Sequence, residues 1–208
     1  MAGRRPSFRP FELMIFGGLM LAAVYGLWSW GQQRSQCPDA LGSLLIVPAY
    51  DEYTAILSGT MMGQATCKLR RLARENPGLR RLVLADVPGT FDLVDTQAAT
   101  RLVRAQGWET VVPANGRIAS GGVMLFLGGV TRTVEPGGQV GVHAWSQTWE
   151  GAVYSSPSDI PARLERAYRD VYRDLGIDPG FYDFQVEAAP AEDIYWMTRT
   201  EMRRWGLI

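Results

Sequence analysis

The chain has 208 residues, 21 of them basic and 21 acidic, for a formal net charge of zero. That balance, with no basic block, argues against nucleic acid as a partner, and a 47% hydrophobic content argues against wholesale disorder. One histidine, His143, and two cysteines, Cys37 and Cys67, are too few to form a zinc site without carboxylates, so no metal or other cofactor is expected.

Taken in chain order, Arg4, Arg5 and Arg9 precede an uncharged run over residues 13–30. At about 1.5 Å per helical residue the run spans roughly 27 Å, close to the thickness of a hydrocarbon core. Phe11, Trp28 and Trp30 stand where interfacial aromatic belts form. Residues 1–31 therefore read as a cytoplasmic stub and one transmembrane helix, with the lipid bilayer as a partner. The arginines predict export of the chain beyond residue 31, which implies a single-pass protein of a bacterial inner membrane with a periplasmic main domain. A cleaved signal peptide is the alternative, with Ser29-Trp30-Gly31 as its cleavage site. The run is longer than the ~7–15 residues of a signal-peptide core, which favours the anchor. Outside the cytoplasm two thiols tend to pair, so Cys37 and Cys67 are a candidate disulfide. A buried Cys67 with Cys37 free is the alternative.

Residues 32–42 read as a tether and residues 43–208 as one α/β domain. Short apolar strands are expected over 43–47 and 54–58, then a helix over 62–75 ended by Asn76-Pro77-Gly78. A buried strand over 81–85 leads through Val87-Pro88-Gly89-Thr90 to a helix over 94–105. A strand over 110–112 is next, then a small-residue turn over 116–122 opening an apolar helix over 123–127. Strands over 131–134 and 139–142 flank the Pro136-Gly137 turn. Beyond His143 come a loop rich in Trp, Ser and Pro, an amphipathic helix over 161–175 and a last helix over 201–205. Strands alternating with helices of this length indicate parallel ββα or βαβ units.

The chemistry-bearing features fall in a useful order. Gly89 ends a strand, Ser120 lies in a small-residue turn at a helix mouth, and His143, 23 positions later, ends another strand. A serine hydroxyl needs a base, and imidazole is the usual one near neutral pH. Glycine-bearing turns can aim N–H groups at the oxyanion of acyl transfer. A helix-capping serine and a structural histidine are the plainer readings of the same residues. The only lysine, Lys68, precedes the oxyanion turn, which disfavours a Ser–Lys dyad.

Ile118-Ala119-Ser120-Gly121-Gly122 followed by Leu125-Phe126-Leu127-Gly128-Gly129 resembles the nucleophile region of the Clp protease proteolytic subunit. The stretch from Pro136 to Gly141-Val142-His143 is similar to that family's strand ending in its catalytic histidine. Asp86-Val87-Pro88-Gly89-Thr90 is similar to its oxyanion loop, and Glu201 through Trp205-Gly206-Leu207-Ile208 to its tail. The resemblance implies a Clp/crotonase-like spiral of ββα units with a C-terminal helical segment. It also implies a serine hydrolase, peptidase-like, acting on a peptide or protein, with Ser120 as nucleophile, His143 as base and Gly89 and Gly121 as oxyanion donors. Asp193 is the preferred third member of the triad, with Glu192 the alternative, since both fall near the family's acid position. A homo-oligomer is implied by analogy with the family's rings and the crotonase trimers. Thr90 replaces the second glycine of the oxyanion loop, where a constricted backbone is expected, and Trp145 departs from the family's pattern beyond its histidine. The competing class is a catalytically retired Clp-like scaffold that binds protein partners through residues 145–154. A crotonase-type acyl-CoA enzyme is disfavoured by export and by the lack of a basic cluster for phosphates.

Overall fold

The computed structural model describes residues 37, 43–49, 51–144, 147–149, 152–154 and 162–208. The chain divides into two units, Met1–Pro38 and Asp39–Ile208; of the first only Cys37 is described, and the architecture is that of the second. The expected membrane-spanning run lies outside the described residues, among which no helix is long and apolar enough to cross a membrane.

The elements run in the order β1 (Leu45–Pro48), β2 (Thr54–Ser58), α1 (Ala65–Glu75), β3 (Arg81–Val87), α2 (Leu93–Ala105), β4 (Glu109–Val112) and β5 (Arg117–Ala119). Then come α3 (Gly121–Leu127), β6 (Arg132–Val134), β7 (Gln139–Val142), β8 (Gln147–Trp149) and β9 (Ala152–Tyr154). The chain continues with α4 (Ala162–Asp174), α5 (Phe181–Ala188), β10 (Tyr195–Trp196) and α6 (Arg199–Arg204). The arrangement is a mixed α/β one, as the alternation of strands and helices in the sequence implies.

Its organising strand is β3. Leu82 and Leu84 alternate with more exposed neighbours and are fully buried, the period-two signature of a strand with one core face, and Val87 is buried beyond the point where the pairing with β2 shifts register. The strand is long enough to serve two wings. Its first half pairs with β4, which continues to β6, and its last two residues pair with β5, which continues to β7; all four pairings are parallel. On the other side β3 pairs parallel with β2, and β1 adds an antiparallel edge. β10 closes the second wing antiparallel to β7.

The helices cover the core face. α1 turns Ala65, Leu69 and Leu72 inward at helical spacing. Its N-cap residue, Gln64, makes no capping side-chain bond. The Asp95 carboxylate of α2 accepts the Ala65 and Thr66 N–H groups instead, at 2.7 and 3.2 Å. Asp92 caps α2 by accepting the Asp95 N–H at 2.9 Å, so one acidic turn holds two helix starts. All seven residues of α3 are buried. Tyr172, Phe181, Phe184 and Trp205 pack α4, α5 and the end of α6 together through ring contacts 5.3–6.3 Å between centroids.

Two expected strands, β2 and β7, have the bounds read from sequence, and the helices shift by one to three residues at their starts. Five elements correct that reading. Residues 117–119 of the expected turn form β5, because they pair with β3 and β7. The expected loop beyond His143 contains the β8–β9 hairpin. α5 and β10 have no counterpart among the expected elements; each is held by tertiary packing rather than by a strong local pattern.

Candidate active site

Parallel pairing fixes the site's frame. Ala119 of β5 is in register with Gly141 of β7, so the residues just beyond these strands emerge side by side. They are Ser120 and His143. Ser120 has φ +53° and ψ −122°, a conformation that a residue with a side chain rarely adopts. The turn is held on both sides: the Ser120 N–H donates to the Gly141 carbonyl at 3.1 Å, and its own carbonyl accepts the Val123 N–H at 2.9 Å. The small residues around it are required by contact. A Cβ on Gly121 would overlap the Thr90 methyl carbon, and one on Gly122 would overlap the Val87 carbonyl oxygen. Close approach thus presses the Ser120 turn onto the end of β3. There the space beside Gly89 is bounded by Ser120, whose Cβ and Oγ would lie 3.5 and 3.8 Å from a Cβ at Gly89.

The expected constriction at Thr90 takes a specific form. Its Oγ1 accepts the Asp92 N–H at 2.9 Å, has the Met61 and Asp92 carbonyls in reach of its one proton at 3.1 and 3.0 Å, and lies 2.8 Å from the Thr96 hydroxyl, which also reaches the Asp92 carbonyl at 2.7 Å. Met61 also donates its N–H to the Gly89 carbonyl at 3.0 Å and accepts the Phe91 N–H at 2.9 Å. The loop is therefore stitched to residue 61 on both sides of Thr90.

His143 is half-buried, and the Ala144 N–H beside it donates to the Ala189 carbonyl at 2.8 Å, bringing the segment before β10 alongside. Burial pulls the His143 pKa below its ordinary value of 6.5, opposed by the backbone of Ala144 and Ala191 and by the charge of Glu192. Nδ1 is buried and no described group stands in hydrogen-bond geometry to it, although those two backbone segments are near enough to favour the charged ring. Asp193 is exposed, and its Oδ1 accepts the Ile194 N–H at 2.7 Å. Glu192 is exposed as well, but its charge acts on the imidazole.

Ser120, His143, Gly89 and Thr90 open onto one cleft of about 430 Å³. Its walls include Phe91, Leu93 and Tyr168, the last a buried tyrosine whose phenol burial pushes far above its ordinary pKa. Thr60, Met61, Thr96 and Tyr168 are the neighbours that reading the sequence missed. Gly59 and Gly63, both at positive φ, were the local signal that residues 60–62 turn sharply toward another element. Lys68 is elsewhere, its ammonium donating to the Leu44 carbonyl at 2.7 Å. Neither Cys37 nor Cys67 is a free thiol.

No protein-family model matches the chain, and no curated protein matches it in sequence. Solved structures do match in fold. A mutant of the 1510-N membrane-bound stomatin-specific protease superposes with a TM-score of 0.53 at 16% identity, covering 75% of this chain and 76% of that one. Another mutant of that protease, in complex with a substrate peptide, gives 0.46 at 14% identity over 72% and 71%. A protein assigned as an enoyl-CoA hydratase from Streptomyces coelicolor gives 0.43 at 16% identity over 84% and 68%. The likeness is one of fold alone: the chain shares the α/β architecture of the stomatin-specific protease.

Proposed function

We propose that this chain is a membrane-anchored, exported Clp-like serine hydrolase that cleaves peptide bonds. The observation carrying the proposal is the strained Ser120, at φ +53° beyond β5, sharing a cleft with the chain's only histidine beyond the adjoining strand. Strain of this kind persists where surrounding contacts enforce it and is concentrated at working sites. Ser120 Oγ attacks the carbonyl carbon of the scissile bond while His143 takes the hydroxyl proton. The Gly89 and Gly121 N–H groups stabilise the resulting oxyanion. Collapse forms the acyl-serine and breaks the C–N bond, His143 giving its proton to the departing amine; water then releases the acid by the same steps. The likeness in fold to a membrane-bound protease supports an anchored peptidase. Covalent labelling of the full chain by a fluorophosphonate tests the proposal, because only an activated serine reacts. Absence of labelling, under conditions where a control hydrolase reacts, would leave the retired-scaffold reading, which Nδ1 favours by having no partner in hydrogen-bond geometry among the described residues.

The third member of the triad comes from the segment before β10. Asp193 is the residue the sequence motif prefers, and Glu192 is the one whose charge reaches the ring. The sign of the pH effect separates them. His143 works as a neutral base, and its lowered pKa extends activity below pH 6.5, to a limb set by the folded-state value. The unfolded chain binds the proton first as pH falls through 6.5, so stability declines from there down to the folded-state pKa. Removing a carboxylate that acts on the ring lowers that pKa further. Glu192→Gln is expected to move the acidic limb of the labelling rate to lower pH, with Asp193→Asn leaving it in place. The reverse outcome would restore Asp193 as the acid.

The topology belongs to the same proposal: residues 13–30 cross the bilayer, residues 43–208 face the periplasm, and Cys37 pairs with Cys67. Closing a loop of about thirty residues stabilises by roughly 3–4 kcal/mol on a chain-entropy account. Thiol labelling without reductant is expected to find both cysteines blocked in intact and lysed cells, and both reactive after reduction. Reactive thiols in the unreduced protein would refute the pairing.

A further inference from the structure

We infer that Thr90 is a positioning residue for the oxyanion loop, the residue that sets how the Gly89 peptide faces Ser120. The inference rests on the hydrolase reading and deepens it at the one loop position where the Clp-like pattern has glycine instead. Three observations converge. The Thr90 hydroxyl accepts the Asp92 N–H at 2.9 Å, has the Met61 and Asp92 carbonyls in reach of its one proton at 3.1 and 3.0 Å, and lies 2.8 Å from the Thr96 hydroxyl. Thr96 is fully buried on α2, so the hydroxyl ties the loop to a rigid element and not to solvent-exposed chain. The methyl group occupies the space that forces glycine at 121, the residue following the nucleophile and the other oxyanion donor. The Thr90 side chain thus packs against one oxyanion donor, Gly121, and belongs to the residue that directly follows the other, Gly89.

The backbone shows what the clamp controls. Met61 holds the Gly89 carbonyl on its own side at 3.0 Å. The peptide is trans, so the Thr90 N–H points the opposite way, where Gly121 lies. A glycine here would leave the peptide free to rotate; the threonine hydroxyl and methyl hold it from two directions. Oxyanion stabilisation depends on donors placed before the reaction begins, and an error of about 1 Å costs on the order of a hundredfold.

The test uses the full chain and the rate of fluorophosphonate inactivation, with the Kd of a reversible, non-covalent peptide ligand read beside it. Thr90→Val keeps the methyl shape and removes the hydroxyl. It is expected to slow inactivation about 10–100-fold while the ligand's Kd changes less than about threefold. Thr90→Ser keeps the hydroxyl and should recover most of the rate. Thr96→Val, which removes the buried partner and leaves the loop residue untouched, should fall between them and guards against a Thr90 variant that fails to fold. Inactivation of Thr90→Val within about twofold of wild type overturns the inference and leaves the hydrolase reading standing. Equal losses in Thr90→Val and Thr90→Ser that track melting temperature also overturn it. A wild-type chain that never labels overturns the hydrolase reading, and the inference with it.

Discussion

Ser120→Ala is expected to abolish covalent labelling and any peptide cleavage, by about 10⁴-fold or more, without changing the melting temperature downward. The physical case is local. Ser120 lines the cleft shared with His143, and the fold leans on the residue's backbone, through Gly141 and Val123, not on its hydroxyl. Alanine can take the same contacts, and it carries no nucleophile. The rate measurement therefore separates cleanly from stability. Residual labelling at another residue, mapped by mass spectrometry, would show that the reactive group had been misassigned.

Gly122→Ala is expected to fail for the opposite reason. Its Cβ would overlap the Val87 carbonyl oxygen, a backbone atom at the end of β3 that no rotamer change can move aside. Val87 is paired with Ile118 of β5, so relief must come from parting β3 and α3. Overpacking of this kind costs about 3 kcal/mol, which for a domain of this size lowers the melting temperature by roughly 6–12 °C. The displaced strand end carries the Pro88–Thr90 loop with it, so labelling should fall even in the fraction that remains folded. Thermal melting and inactivation rate, taken on one preparation, check both halves. A melting temperature within 2 °C of wild type, on that same ~3 kcal/mol scale, would refute the packing argument.

Much of this arrangement could be read from local chemistry. β2 and β7 are short apolar runs bounded by turn formers, and their ends match the reading. Gly89, Ser120 and His143 were legible because each stands where a strand gives way to a turn, and the order of the three is informative. Residues 117–119 were not, since three residues among Gly, Asn and Ser carry no alternation to detect; they are a strand because β3 and β7 flank them. β10 has two residues and no period at all. The acid was ambiguous for a related reason. Glu192 and Asp193 are adjacent, and which one faces the imidazole depends on the entry of the 189–194 segment, set by the Ala144–Ala189 hydrogen bond across the sheet edge. The Thr90 network joins residues 61, 90 and 96, a grouping that only the folded chain creates.

The topology also sets an order in time. His143 is delivered by β7, whose outer flank is β10, and Arg132 of β6 donates to the carbonyls of Gly206 and Leu207 at 2.8 and 2.9 Å. Chains fold as they are made, from the N-terminal side onward. Ser120 leaves the ribosome long before the pieces that support its base. On the hydrolase reading, the nascent chain carries a serine with no base beside it until β7 has been made and β10 has closed its outer flank.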